Sequence, residues 1–191
     1  MDYLTKMKED LDQLVSGLDA CYDKIKLYGD FKKAQKNKVL KPIQEVEKSS
    51  RYIMEGFVGL FYDTEKGPVL AEIFQATDLA FDVNSYLKEK KTDQYIQCLS
   101  DVVYFELSKE LEQLLLRHFP DLQQLAIKVN QRMSKRLILR NRIKRMEKED
   151  AYREFLDYMP GIEEHLSQAK IASYFSCSPR TMRIIQQKIK N

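Results

Sequence analysis

The hydrophobic period of this chain changes twice, and that constrains its fold more than any single motif. In residues 3–27, Leu4, Leu11, Leu14, Leu18 and Ile25 recur in a helical rhythm, which predicts one N-terminal helix. From residue 37 to residue 107 the period shortens. Segments 38–43, 51–55, 57–62, 69–74, 94–99 and 102–106 are rich in β-branched and aromatic residues. Turn-like stretches at 47–50, 63–68 and 99–101 separate some of them. Short strands at this spacing predict a small all-β roll or barrel. Helical patterning returns after Ser108, over 109–117, then over 121 to about 148 with a break inside, then over 150–158 until Pro160-Gly161 ends it.

The last 26 residues read as two short helices joined by a tight turn. Ser167 is a suitable N-cap, and 168–175 carries Ile171, Ala172 and Phe175 on one face. The small Ala172 permits close helix approach. Residues 176–178 interrupt the pattern, and Ser178-Pro179 is a capping serine with proline at the first helical position. Met182, Ile185 and Ile189 then face inward, while Arg180, Arg183 and Gln187 lie opposite with Ile184 beside them. That is the layout of a helix-turn-helix, whose second helix enters the DNA major groove. Arginine bonds bidentately to guanine and glutamine to adenine. Two short helices with a basic outer face also occur in proteins that never touch nucleic acid, so charge has to weigh in. Residues 1–120 hold 17 basic and 21 acidic side chains, a net of −4; residues 121–191 hold 15 and 8, a net of +7. A basic C-terminal third on a mildly acidic body fits phosphate contact by one end of the molecule.

Other features narrow the field. A chain of 191 residues can form one large domain or two small ones. Cys21, Cys98 and Cys177 are far apart, form no metal-binding spacing and suggest a reducing compartment. Cys98 and Cys177 read as buried and inert. Two histidines, His118 and His165, leave no histidine-rich cluster, and no metal site is expected. The start is too charged for a signal peptide and no apolar run reaches membrane-spanning length, so a cytoplasmic protein with no membrane partner is expected. No Ser/His/Asp, Cys/His or metal constellation points to an enzyme.

The order helix, β-roll, long helix, helix-turn-helix resembles the Crp/Fnr family of bacterial transcription regulators over nearly the full chain. Residues 36–43 look like that family's first strands, and 52–62 look like its hairpin. Residues 97–106 look like the strand pair after the effector pocket, and 152–190 are similar to the C-terminal domain, most closely at 170–175 and 178–182. The resemblance implies an α+β fold. Its parts would be a cyclic-nucleotide-binding-like sensor β-roll (1–118), a long dimerisation helix (119–148) and a helix-turn-helix domain (149–191). It also implies a homodimer that binds near-palindromic double-stranded DNA, with RNA polymerase among its partners. DNA contacts would fall on Ser167, Gln168, Ser178, Pro179, Arg180, Thr181, Arg183, Ile184 and Gln187. Leu122, Leu125, Ala126, Val129 and Met133 form an apolar stripe that is either core or dimer seam. The resemblance assigns it to the dimer interface.

Departures from the family pattern are as informative. Cyclic-nucleotide binders of the family hold the phosphate with a Gly-Glu segment and a later arginine. Here Phe81 stands at the glycine, Asp82 at the glutamate, and Thr92 at about the arginine position. With Asn84 and Ser85 these form the candidate effector pocket. A carboxylate at Asp82 without an arginine partner would repel phosphate, so cyclic AMP is not expected, and the effector is unknown. Four clustered thiolates for an iron–sulfur centre are missing, and His118 is a poor haem ligand candidate. No cofactor is therefore expected. Tyr52, Phe57, Phe61, Tyr62 and Phe74 read as β-roll core rather than as an apolar ligand pocket. Ile184 stands where the family's base-reading arginine is usual, and Arg183 one place earlier is rotated by about 100°. Ser176 replaces a frequent turn glycine, and the sequence stops soon after the second helix, which implies a truncated wing. The alternative reading is a ligand- or protein-binding module that keeps the fold without sequence-specific DNA readout.

Overall fold

The β-rich middle of the chain folds as two four-stranded antiparallel sheets, seen in a computed structural model that describes residues 2–65 and 67–190. The strands are β1 (Asp30–Ala34), β2 (Val39–Lys41), β3 (Ser49–Glu55), β4 (Val58–Thr64), β5 (Gly67–Phe74), β6 (Leu79–Ala80), β7 (Gln94–Cys98) and β8 (Val102–Ser108). One sheet runs β1-β8-β3-β6 and the other β2-β7-β4-β5. Ile53, Val58, Phe74, Ile96, Cys98, Val102 and Tyr104 form the core cluster of the roll. Strand β3 buries Tyr52 and Ile53 in succession, because helices cover the sheet's other face. Gly56 makes the β3–β4 turn at φ +84°; a Cβ there would stand 2.1 Å from the Asp101 carbonyl oxygen.

The N-terminal segment is two helices, α1 (Tyr3–Asp12) and α2 (Asp19–Tyr28), rather than the one the rhythm predicts. Gly17, at φ +82°, lies in the connection. The periodicity runs across the break because Met7 and Leu11 of α1, like Tyr22 and Ile25 of α2, all belong to one core cluster with Tyr52 and Phe105. Two strands escaped the sequence reading. β1 is a polar edge strand with lysines at positions 32 and 33, and β6 is only two residues long.

After β8 come α4 (Lys109–His118) and α5 (Pro120–Arg145), which runs without interruption. The expected break falls at its end, where Met146 is extended at ψ 166° before α6 (Lys148–Tyr158). A short 3-10 turn (Ile162–Glu164) leads to α7 (Gln168–Tyr174) and α8 (Pro179–Lys190); a small helix, α3 (Val83–Lys88), sits between β6 and β7. The cluster holding α6, α7 and α8 also takes in Phe61, Leu70, Ile73 and Leu99 of the roll, so the C-terminal helices dock on the β4–β5 hairpin. The expected wing truncation concerns Asn191 and lies outside the described residues.

Candidate functional site

The α7–α8 pair is built as its caps prescribe. Ser167 Oγ accepts from the Lys170 amide at 3.3 Å, and Ser178 Oγ accepts from the Thr181 amide at 3.0 Å. Between the helices Ser176 adopts φ +52°. Its amide donates to the Ser173 carbonyl at 3.1 Å and that of Cys177 to the Ala172 carbonyl at 2.9 Å. This paired closure of a helix C-terminus needs a left-handed residue at the position Ser176 holds. A serine there costs about 1 kcal/mol relative to glycine.

The turn fixes which face of α8 is inward. Met182 is fully buried and Ile185 nearly so, with Ile189 packed beside them against Ile171, Ala172 and Phe175. Pro179, Arg180, Thr181, Arg183, Ile184 and Gln187 are left exposed, together with Ser167 and Ser178. Ile184 is 48% exposed in the middle of this face. Arg183 Nε donates to Gln168 Oε1 at 3.2 Å, across from α8 to the start of α7. Gln168 in turn donates to Gln186, and Gln186 to the Tyr152 hydroxyl at 2.9 Å. Gln168 is thus half-buried and holds the two helices together. Sequence reading missed Gln186, which carries no signal apart from its neighbours.

The basic C-terminal third is not all free. Arg132, Arg136, Arg140 and Lys144, spaced by four along α5, grip the roll. Arg132 donates to Asp10 of α1 at 2.7 Å and to the Thr77 carbonyl at 3.0 Å, and Arg136 to Asp78 at 2.6 Å. Arg140, 4% exposed, reaches Asp78 at 3.2 Å, pairs with Glu72 and donates to the Ile73 carbonyl. Lys144 donates to the Ala71 carbonyl and lies 4.1 Å from the Tyr174 ring. Burial pushes the Lys144 ammonium below its ordinary value, with the Arg140 charge adding to the effect. Burial likewise raises the Tyr174 hydroxyl. These four cations bind the roll, so the charge asymmetry overstates what is available to phosphate. The i, i+4 spacing was the visible signal for them.

The candidate effector pocket contains a buried ion pair. Asp82 is fully buried, and Lys41 of β2, 2% exposed, donates to it at 3.0 Å. Lys41 also donates to Thr92 Oγ1 at 2.7 Å and to the Gln94 carbonyl at 2.6 Å, and Thr92 donates to Asp82. Asp82 has no arginine partner, but a lysine 41 residues earlier in the chain pairs with it, which the sequence reading did not anticipate. Asp82 further caps α3 by accepting from the Ser85 amide at 3.1 Å. Ser85 is a strut, accepting from the Glu47 amide at 2.8 Å and donating to the Lys90 carbonyl at 2.6 Å. Glu47 accepts from Arg51 Nη1 through both oxygens, at 3.2 and 3.1 Å, and from the Asp82 amide at 3.3 Å. Phe81 stacks edge-on with Tyr86 at 5.1 Å, and Asn84 is exposed apart from the cluster. The structure thus brings Asp82, Ser85 and Thr92 together, with Lys41, Glu47 and Arg51, which sequence reasoning missed. Both cations and the backbone donor that would receive an anion already hold carboxylates of the chain.

The α5 stripe resolves toward core. Leu122, Leu125 and Val129 are buried within the chain against α1, α2 and α4, with Met133 packed on the same cluster and Ala126 half-buried. The N-terminal helices cover Leu122, Leu125 and Val129, so these three pack as core within the chain. Ile127, Leu137 and Ile138 are exposed instead, at 57%, 45% and 69%. Of the cysteines, Cys98 is buried and its thiol is pushed up to about 11 by desolvation. Cys177 is only half-buried, contrary to expectation, because it lies at the turn leading into α8. Among the described residues no group of His, Cys, Asp and Glu is placed to hold a metal, and no helix is long and apolar enough to cross a membrane.

No protein-family model matches this chain, and no curated protein matches it in sequence. Solved structures do match in fold. One is the c-di-GMP-responsive global regulator CLP of Xanthomonas campestris, with a TM-score of 0.67 at 13% identity over 90% of this chain and 91% of that one. Another is a cyclic nucleotide-binding domain containing protein of Listeria monocytogenes, at 0.64 and 13% identity over 98% and 90% of the two chains. FixK2 of Bradyrhizobium japonicum gives 0.63 at 9% identity over 85% and 84%. The α+β fold read from the sequence, a cyclic-nucleotide-binding-like roll followed by a long helix and a C-terminal helical unit, is the fold of these proteins.

Proposed function

We propose that the chain is a transcription regulator of the Crp/Fnr type that reads duplex DNA through α8. The observation that carries this reading is the exposed face of α8. Arg180, Thr181, Arg183, Ile184 and Gln187 stand outward on a helix whose rotation is locked by buried Met182 and Ile185. Proteins with the same fold include a responsive global regulator, which supports the role. Ile184 presents an apolar surface suited to a thymine methyl, so the preferred half-site differs from one read by arginine at that position. Ser167 and Ser178 sit at helix N-termini, where amides and the helix dipole favour phosphate.

The effector of this reading is not cyclic AMP. Support comes from Lys41, Arg51 and the Asp82 amide, all engaged by internal carboxylates. For a homodimer, α5 offers a line of Ile127, Gln131, Ser134, Ile138, Asn141 and Arg145 opposite its core-facing side, flanked by Leu137. Symmetric pairing on it would present two α8 helices to a near-palindromic site. DNA domain boundaries near residues 118 and 148 remain part of this proposal, as does a cytoplasmic location.

The test is selection of bound duplexes from a random pool with the full chain. An enriched near-palindromic motif is expected, with affinity falling steeply as salt rises. Arg180→Ala with Arg183→Ala should lower the salt slope by about 1 to 2. A pool that returns no enriched motif overturns the reading in favour of a binding module without DNA readout. Arg183 tied to Gln168 is the observation on that side.

A further inference from the structure

An apolar pocket with about 140 Å³ of interior space, open to solvent on one side, lies where α1, α2, the outer face of β3 and β8, and the α4–α5 corner meet. Its wall is almost wholly hydrocarbon, including Leu11, Ile25, Phe105, Leu115, Leu125 and Ala126. A space of this size accommodates a single small ring, since an apolar cavity of about 150 Å³ takes up benzene. Three polar side chains interrupt the wall: Ser50, Glu112 and Tyr52, whose hydroxyl donates to Asp10. Glu112 accepts through Oε2 from the Tyr86 hydroxyl and, in a long contact of 3.4 Å, from that of Ser50. Among the described residues no protein donor is bonded to its Oε1. A carboxylate has about four acceptor sites, so capacity remains for one more donor.

The two features select a chemistry. The largely hydrocarbon wall disfavours a ligand with several polar groups, because those turned inward would be buried with few partners. The carboxylate repels anions, which rules out fatty acids and nucleotides, and favours a hydrogen-bond donor. We propose that this cavity is a binding site for one small, neutral, mostly hydrocarbon molecule with a hydroxyl group, a phenol or short alcohol, whose O–H bonds to Glu112 Oε1. Such a ligand touches α1, α2 and α5 at once and stabilises their packing. The site lies on the opposite side of β3 and β8 from the core of the roll and is separate from the Lys41–Asp82 cluster. It does not rest on the DNA-binding reading.

Calorimetric titration and thermal unfolding of the full chain with p-cresol, toluene and benzoate test it. Saturable one-to-one p-cresol binding with a rising Tm is expected. Toluene, which lacks the donor, should bind about tenfold more weakly or worse, and benzoate not at all. Ala126→Leu adds side-chain volume to the wall and should cut p-cresol affinity by about tenfold or more. If that variant does not fold, Leu116→Phe at the half-exposed rim takes its place. Glu112→Gln should narrow the preference for p-cresol over toluene. Absence of saturable p-cresol binding, unchanged binding in the cavity-filling variant, or equal affinity for p-cresol and toluene overturns the proposal. All three readouts are taken without DNA, so failure here leaves the DNA-binding reading to its own test.

Discussion

Removing the Asp82 carboxylate should expose how the candidate effector position is held. In Asp82→Ala, Lys41 stays buried at 2% exposure and keeps only Thr92 Oγ1 and the Gln94 carbonyl as partners. Breaking one side of a buried pair typically costs about 3 to 5 kcal/mol. The same substitution takes the acceptor from the Ser85 amide, a cap worth about 1 kcal/mol. The expected loss is therefore about 4 to 6 kcal/mol. For a chain of this size that lowers Tm by roughly 8 to 24 °C. Lys41→Met added to Asp82→Ala removes the uncompensated cation, so the double variant should recover about 2 to 3 kcal/mol of it. Urea unfolding followed by circular dichroism, alongside calorimetry, reads both values. A loss below about 1 kcal/mol in the single variant, or no recovery in the double one, would show that the pair does not hold the pocket shut.

Three further outcomes follow from the same geometry. Ser176→Gly should raise Tm by about 2 to 4 °C, since glycine relieves the left-handed residue at the α7–α8 turn, while Ser176→Val should lower it. Ile127→Asp with Ile138→Asp should shift sedimentation toward monomer with the circular dichroism spectrum unchanged, whereas Val129→Asp should unfold the chain, because Val129 is core. In alkaline titration, Tyr22, Tyr52, Tyr86 and Tyr174 all have raised pKa values, with burial as the leading cause. Above about pH 10 the unfolded state loses these protons and the folded state keeps them, so stability should fall as pH rises from there. Buried Lys144, with its lowered pKa, acts in the opposite sense below its ordinary value of 10.5. A flat stability profile from pH 9 to about pH 12 would contradict this sign.

Much of the fold was legible because local rules and tertiary demands agree. Six strand segments were placed by β-branched and aromatic runs, and the two polar or very short ones, β1 and β6, were not. Capping serines at Ser167 and Ser178 and the break at Ser176 read directly from residue type, as did the inward Met182 and Ile185. The N-terminal helix was misread as single because α1 and α2 face the same core, so the rhythm does not falter between them. The rhythm of the α5 stripe leaves its partner open, core or a second chain, for a related reason. Periodicity shows that a face is apolar and says nothing of what covers it.

By itself, then, the sequence determined the change from helix to β-roll and back to helix, the helix-turn-helix with its capped turn, and the face of α8 left exposed. These follow from dihedral preferences, caps and hydrophobic period, all set by residues within a few positions of each other. The tertiary structure alone decided the rest. It paired Asp82 with Lys41, turned Arg132, Arg136, Arg140 and Lys144 onto the roll, and sealed Leu122, Leu125 and Val129 under the N-terminal helices. It also left a cavity beside Glu112. Charge pairing and burial depend on which distant segments meet, and nothing local in the chain records those meetings.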